Sequence, residues 1–152
     1  MTSMTMRRRH LLAAAAGGAA ISVLPRAAGA QMQPATAEAI RKATGGKEPQ
    51  DGRVALRLPP IAENGNTVPL TVSVDSPMTA ADHVKTVWIF ADKNPTPDVA
   101  VFHLMPALGR AQADTRMRLG QTQDVIAVAQ MSDGAFYMAR TEVKVTIGGC
   151  GG

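Results

Sequence analysis

Between Val68 and Asp75 every second residue is apolar: Val68, Leu70, Val72 and Val74 alternate with Pro69, Thr71, Ser73 and Asp75. A period of two gathers the four apolar side chains on one face of an extended strand and cannot gather them on a helix, so this segment commits to a half-buried strand. The signal recurs along the chain. Val54, Leu56 and Leu58 alternate with Ala55 and Arg57 and stop at Pro59-Pro60, where proline cannot donate to a ladder. Asn64-Gly65 reads as a hairpin-type turn ahead of Val68. Val84 to Ala91 is more continuously apolar, containing Val87-Trp88-Ile89-Phe90, and is punctuated by Asn94-Pro95-Thr96-Pro97; Val99 to Leu104 follows and closes at Pro106. Thr115, Met117 and Leu119 then alternate with Arg116, Arg118 and Gly120. Val125 to Ala129 precedes a Ser132-Asp133-Gly134 turn, and Phe136 to Ile147 comes last.

About seven short strands with turn signals near every tenth residue predict an all-β fold, an immunoglobulin-like antiparallel β-sandwich. The chain has one cysteine, so the inter-sheet disulfide of antibody domains is impossible and the likeness is architectural. A single short N-terminal helix is expected at roughly Thr36 to Ala43, stopped by Gly45-Gly46 with Pro49 beyond. Two turns of helix do not persist alone in water, so it must dock.

Residues 1–30 read as an export signal and 31–147 as the sandwich domain, with 148–152 as a flexible arm. Arg7, Arg8 and Arg9 precede an apolar, small-residue run from Leu11 to Leu24 that is too short and too rich in alanine and glycine to span a bilayer, and Ala28-Gly29-Ala30 supplies a cleavage pattern. Arg8-Arg9-His10-Leu11-Leu12 has the form of a twin-arginine signal, the address for folded cargo. The mature chain is then expected to start at Gln31, in the periplasm. The charge argument changes with it. The formal charge is +4, but four of the sixteen basic residues (Arg7, Arg8, Arg9, Arg26) and none of the twelve acidic ones lie before Gln31, which leaves a neutral domain. With five aromatic residues and no basic stripe, the domain has no platform for nucleic acid.

An odd cysteine in an exported protein is either reactive or paired with another chain. Cys150 sits in Gly148-Gly149-Cys150-Gly151-Gly152, directly after the last predicted strand. Glycine reaches both signs of φ and loses the most entropy on ordering, so the segment should stay mobile, and five extended residues reach about 15–18 Å. With no side chain on either flank, the thiol can enter a narrow cavity of another protein. Prenylation needs three residues after the cysteine, and two are present. His83 and His103, the two histidines after position 30, are too few and too scattered for a zinc or haem site, so no metal and no cofactor are expected.

Thr146-Ile147-Gly148-Gly149-Cys150-Gly151-Gly152, behind a twin-arginine-like signal and a β-rich domain, resembles the C-terminus of the SoxY family, carriers of the bacterial sulfur-oxidation (Sox) pathway. The resemblance implies a heterodimer with a second small β protein, SoxZ, and thiosulfate oxidation carried out on the cysteine. It implies transient partners as well: a c-type cytochrome, SoxAX, that couples thiosulfate to the thiol; a manganese hydrolase, SoxB, that removes sulfate; and a molybdenum and haem enzyme, the sulfur dehydrogenase SoxCD. Cys150 carries over as the attachment point, and Gly148, Gly149, Gly151 and Gly152 as the arm. The chain itself would be a carrier acted on by enzymes, with no catalytic residue of its own.

Rival readings are a stand-alone thiol enzyme, which needs a base that a glycine arm does not position, and an exported structural module whose cysteine cross-links chains. Trp88 and its neighbours Val87, Ile89 and Phe90 are expected to serve the core or a partner interface. His83 and His103 are read as lone histidines on strand segments, and Arg116 and Arg118 as solvated residues on one strand face.

Overall fold

The computed structural model describes residues 31–149; the expectations for Arg8, Arg9, Cys150, Gly151 and Gly152 fall outside the described residues. The elements run α1 (Pro34–Thr44), β1 (Gln50–Asp51), β2 (Val54–Arg57), β3 (Ile61–Asn64), β4 (Val68–Val74), β5 (Val84–Ala91) and β6 (Asp98–His103). A 3-10 turn (Pro106–Leu108) follows, then β7 (Ala111–Met117), β8 (Gln123–Met131) and β9 (Phe136–Ile147). The larger sheet has the order β1-β9-β8-β5-β6 with β3 also paired to β9; the smaller has the order β2-β4-β7. The chain therefore forms the expected immunoglobulin-like β-sandwich with a short N-terminal helix.

The core between the sheets follows from the alternation. Val68, Leu70, Val72 and Val74 of β4 face Val87, Ile89 and Ala91 of β5 and Val125, Ala127, Ala129 and Met131 of β8, all of them buried. The outer face of the larger sheet is covered too. Phe90 of β5, Ile126 and Val128 of β8 and Phe136 of β9 pack with Ile40 of α1, and Trp88 and Met138 flank them. The Trp88 and Phe136 rings lie 6.3 Å apart, tilted by 35°. With both faces covered, the middle strands read as continuous apolar runs, as strands buried on both sides do.

Of the two uses expected for Val87-Trp88-Ile89-Phe90, core or partner interface, the structure shows the core. Val87 and Ile89 point between the sheets, Phe90 points under the helix, and only Trp88 is half-buried. The large apolar side chains the described residues leave exposed are Ile61, Val101, Met105, Leu108 and Ile147. Three of these, Val101, Met105 and Leu108, belong to the β6 edge and the 3-10 turn after it.

The helix docks as its length requires. Pro34 opens it, Ile40 is buried, and Gly45 closes it at φ 64°, with Gly46 N–H donating to the Arg41 carbonyl at 2.8 Å. Gln33 N–H donates to Asp92 Oδ1 at 2.8 Å, and Thr36 Oγ1 to the Asp92 carbonyl at 3.2 Å, so the buried Asp92 at the end of β5 fixes where the helix begins. Nearby, the Arg140 guanidinium pairs with Asp124 across β9 and β8, and that carboxylate, with Asp92 adding to it, raises the Arg140 pKa above its ordinary value.

Four local expectations change. Asn64-Gly65 is no hairpin, because β3 pairs in parallel with β9 while β4 belongs to the other sheet; the turn carries the chain between sheets. The strand expected at Thr115–Leu119 runs instead from Ala111 to Met117, so Arg118 leaves the strand and does not share a face with Arg116. His83 stands just before β5 and not on a strand. The sandwich is antiparallel except at β9, which takes β1 and β3 as parallel neighbours.

Ile89 is 1% exposed at the sheet interface, whereas Val101 on the neighbouring edge strand is 49% exposed. Ile89→Ala should therefore cost about 2–5 kcal/mol in urea unfolding, and Val101→Ala within about 0.5 kcal/mol of zero.

Candidate functional site

β9 delivers the chain to the candidate site. Its residues Phe136 to Val143 pair with β8 from Gln130 to Gln123. Beyond that, Lys144, Val145 and Ile147 lie in register with Ile61, Ala62 and Asn64 of β3. Gly148 and Gly149 follow at the end of the sandwich, where two other segments approach: the Gly65-Asn66 turn after β3 and the Leu119-Gly120 loop after β7.

Three backbone hydrogen bonds tie these segments together. Gly65 N–H donates to the Ile147 carbonyl at 2.7 Å, Leu119 N–H to the Gly65 carbonyl at 2.8 Å, and Gly149 N–H to the Leu119 carbonyl at 2.9 Å. The packing leaves no space for side chains. A Cβ on Gly148 would stand 2.1 Å from the Gly120 carbonyl oxygen, and one on Gly149 would stand 2.9 Å from the Gly65 carbonyl oxygen and 3.1 Å from Asn66 N. A Cβ on Gly65 would meet the Leu119 carbonyl oxygen at 2.2 Å and Gly149 N at 2.7 Å.

Two side-chain amides, half-buried Asn94 and buried Gln123, brace the surrounding loop. Asn94 donates through Nδ2 to the Arg118 carbonyl at 2.9 Å and accepts at Oδ1 from Gly120 N–H at 3.1 Å. Gln123, 1% exposed, donates to Asn94 Oδ1 at 2.8 Å and accepts at Oε1 from Lys93 N–H at 2.6 Å. Thr122 Oγ1 accepts from Val145 N–H at 2.9 Å, which ties the same loop to the last residues of β9. Asn66 N–H donates to Asn64 Oδ1 at 2.9 Å and shapes the facing turn.

Of the predicted site residues, Gly148 and Gly149 are described, and they alter the picture of an arm loose from Ile147 onward. Gly149 is buried, and both are held against the domain. The absence of a Cβ permits mobility, but it equally permits backbone to lie against backbone at distances no other residue allows. Gly65, Asn94, Gly120 and Gln123 escaped the sequence reading. In the sequence Gly65 and Asn94 read only as turn punctuation, and nothing local marks Gln123 as buried.

The two histidines stand elsewhere. His83 precedes Val84, which pairs with Met131, and His103 pairs with Thr86, so both lie at the end of the larger sheet where β9 begins. From Phe136 to Val143 is about 24 Å of extended strand. His83 Nδ1 lies 3.0 Å from the Thr79 carbonyl, and His103 Nδ1 lies 3.3 Å from Thr86 Oγ1. Arg116 and Arg118 are both exposed.

The family model of the sulfur oxidation protein SoxY matches residues 40–150. The chain is similar to the solved structure of the sulfur carrier protein SoxY from Chlorobium limicola f thiosulfatophilum, with 34% identity over 73% of this chain and 96% of that one and a TM-score of 0.61. It shares its fold with a superoxide reductase (neelaredoxin) from Ignicoccus hospitalis, at 18% identity over 71% of this chain and 86% of that one, TM-score 0.55. The superoxide reductase from Nanoarchaeum equitans gives 10% identity over 62% and 99%, TM-score 0.52. No curated protein matches the chain. The chain belongs to the SoxY family of sulfur oxidation proteins.

Proposed function

We propose that this chain is a periplasmic sulfur carrier that holds thiosulfate-derived intermediates on Cys150 while partner enzymes oxidise and hydrolyse them. The observation that carries the reading is that the family match runs through residue 150, so the one cysteine of the sequence stands inside the matched region, directly after the paired glycines that close the described domain.

The chemistry asks little of the carrier. An ordinary thiol with a pKa near 8.5 is about a few per cent thiolate at neutral pH, enough to react when a partner activates it and too little to react unprompted. Coupling the Cys150 thiolate to thiosulfate forms one S–S bond and releases two electrons, which the c-type cytochrome SoxAX accepts. The product, Cys–S–S–SO₃⁻, is cleaved by water on the manganese hydrolase SoxB to Cys–S–SH and hydrogensulfate. The sulfur dehydrogenase SoxCD then oxidises the remaining sulfane sulfur. Each reaction takes place in a partner, and this chain supplies attachment and access. Among the described residues, His83 and His103 stand at the far end of the sheet from Gly149, which favours a carrier over a self-contained thiol enzyme.

The compartment fits the cargo. A persulfide is open to attack by free thiols, and an oxidising, thiol-poor periplasm protects it. The Arg8-Arg9 signal supports export by the twin-arginine route, and no helix among the described residues is long and apolar enough to cross a membrane. A signal for folded cargo on a domain whose sequence offers no visible cofactor site points to export as an assembled heterodimer with SoxZ, carried out on this chain's signal.

Two outcomes test this reading. Cys150→Ser should abolish thiosulfate turnover in a system reconstituted from SoxZ, SoxAX, SoxB and SoxCD, while size-exclusion chromatography still shows the heterodimer; normal turnover by the serine variant would end the carrier reading. Joint Arg8→Lys and Arg9→Lys substitution should leave both this chain and SoxZ in the cytoplasmic fraction on immunoblots. SoxZ reaching the periplasm in that strain would separate its export from this chain.

A further inference from the structure

We propose that Gly65 and the Leu119-Gly120 backbone form a latch that holds the first two glycines of the arm, so that the thiol leaves the domain at one fixed point. The latch is built from backbone alone. Ile147, Gly65, Leu119 and Gly149 are joined in sequence by the three hydrogen bonds described above, each between residues far apart in the chain. These groups lie against buried Gly149 and Leu119, where an unpaired N–H or C=O is costly, so each bond supports the others.

The steric pattern is asymmetric. Gly65, Gly148 and Gly149 have no room for a Cβ, because the obstructing atoms within 3 Å are backbone atoms, which cannot swing aside as a flexible side chain would. Gly120 differs: its Cβ would find Asn94 Oδ1 at 3.7 Å and the Gly149 carbonyl at 4.0 Å, which is ordinary contact. None of these four glycines takes the positive φ that favours glycine for conformational reasons, so what selects glycine at the first three is close approach. Their demand for space is met only when the arm's root is seated.

The arm is then shorter at its base than the glycine count suggests. Cys150 follows Gly149 directly in the sequence, so one residue, about 3.5 Å of extended backbone, separates the thiol-bearing position from the latch. A partner that takes up the thiol has to approach the end of the sandwich formed by Asn66, Asn94, Arg118 and Gly149, or else unseat the latch to gain the two further residues. Gly65 and Gly148 are positioning residues in this account. The use made of the latch, delivering sulfur to enzymes, rests on the carrier reading; the latch itself does not.

A nitroxide on Cys150, the only thiol in the sequence, reads the latch by electron spin resonance without any sulfur chemistry. The native chain in its heterodimer should show the restricted motion of a site one residue from a seated backbone. Gly148→Ala and Gly65→Ala should each shorten the label's correlation time several-fold and speed hydrogen exchange at the Gly149 and Leu119 amides. Gly120→Ala should change neither. Val72→Ala, in the core of β4, should lower the melting temperature and leave the label as restricted as in the native chain, which separates loss of the latch from general destabilisation. Should Gly65→Ala fail to fold, Gly148→Ala, at the end of the last strand, decides alone. A label as mobile in the native chain as in Gly148→Ala would overturn the proposal. Latched spectra combined with no sulfur loading would leave the latch standing and remove the carrier reading.

Discussion

The structure depends on the burial of β5 and β8 on both faces. Their inward side chains fill the space between two sheets, and their outward ones, Phe90, Ile126 and Val128, would be stranded in water without the N-terminal helix. Ile40 and the flanking Met32, Ala39 and Ala43 cover them, and Asp92 pins the helix at its entrance. A two-layer sandwich thus becomes three layers where its middle strands are most apolar. β9 is paired along eight residues of β8 and carries the chain from the covered sheet to the glycines at its end.

The parts of the fold legible in the sequence are those with a local cause. The period of two in β4 and the Gly45-Gly46 stop after α1 each act within a few residues, and both are where the pattern puts them. β1 and β3 were illegible because they are short, mostly exposed, and exist only through parallel pairing with a strand some eighty residues on. For Val87-Trp88-Ile89-Phe90 the sequence leaves core and partner interface both open, because nothing local says that a helix fifty residues earlier returns to cover the run. β7 begins at Ala111, where small residues blunt the alternation.

The site was legible in the same divided way. Cys150 and its glycines stand out because a lone cysteine set within a run of glycines is an unusual sequence, and that pattern led to the family. What the glycines do at the root was hidden, because the reason for Gly148 is a carbonyl on Gly120 and the reason for Gly149 is one on Gly65. A glycine selected for close approach and one selected for freedom are the same letter.

A carrier of this kind needs little chemistry of its own, because a thiol of ordinary acidity waits for a partner to activate it. Covalent attachment of sulfur to Cys150 is read out by intact-mass spectrometry with C-terminal peptide mapping. After incubation of the heterodimer with thiosulfate and SoxAX, the account predicts one thiosulfate-derived adduct per chain, confined to the peptide containing Cys150 and released by a reducing thiol. An unmodified mass under conditions in which SoxAX is being reduced by thiosulfate would contradict it.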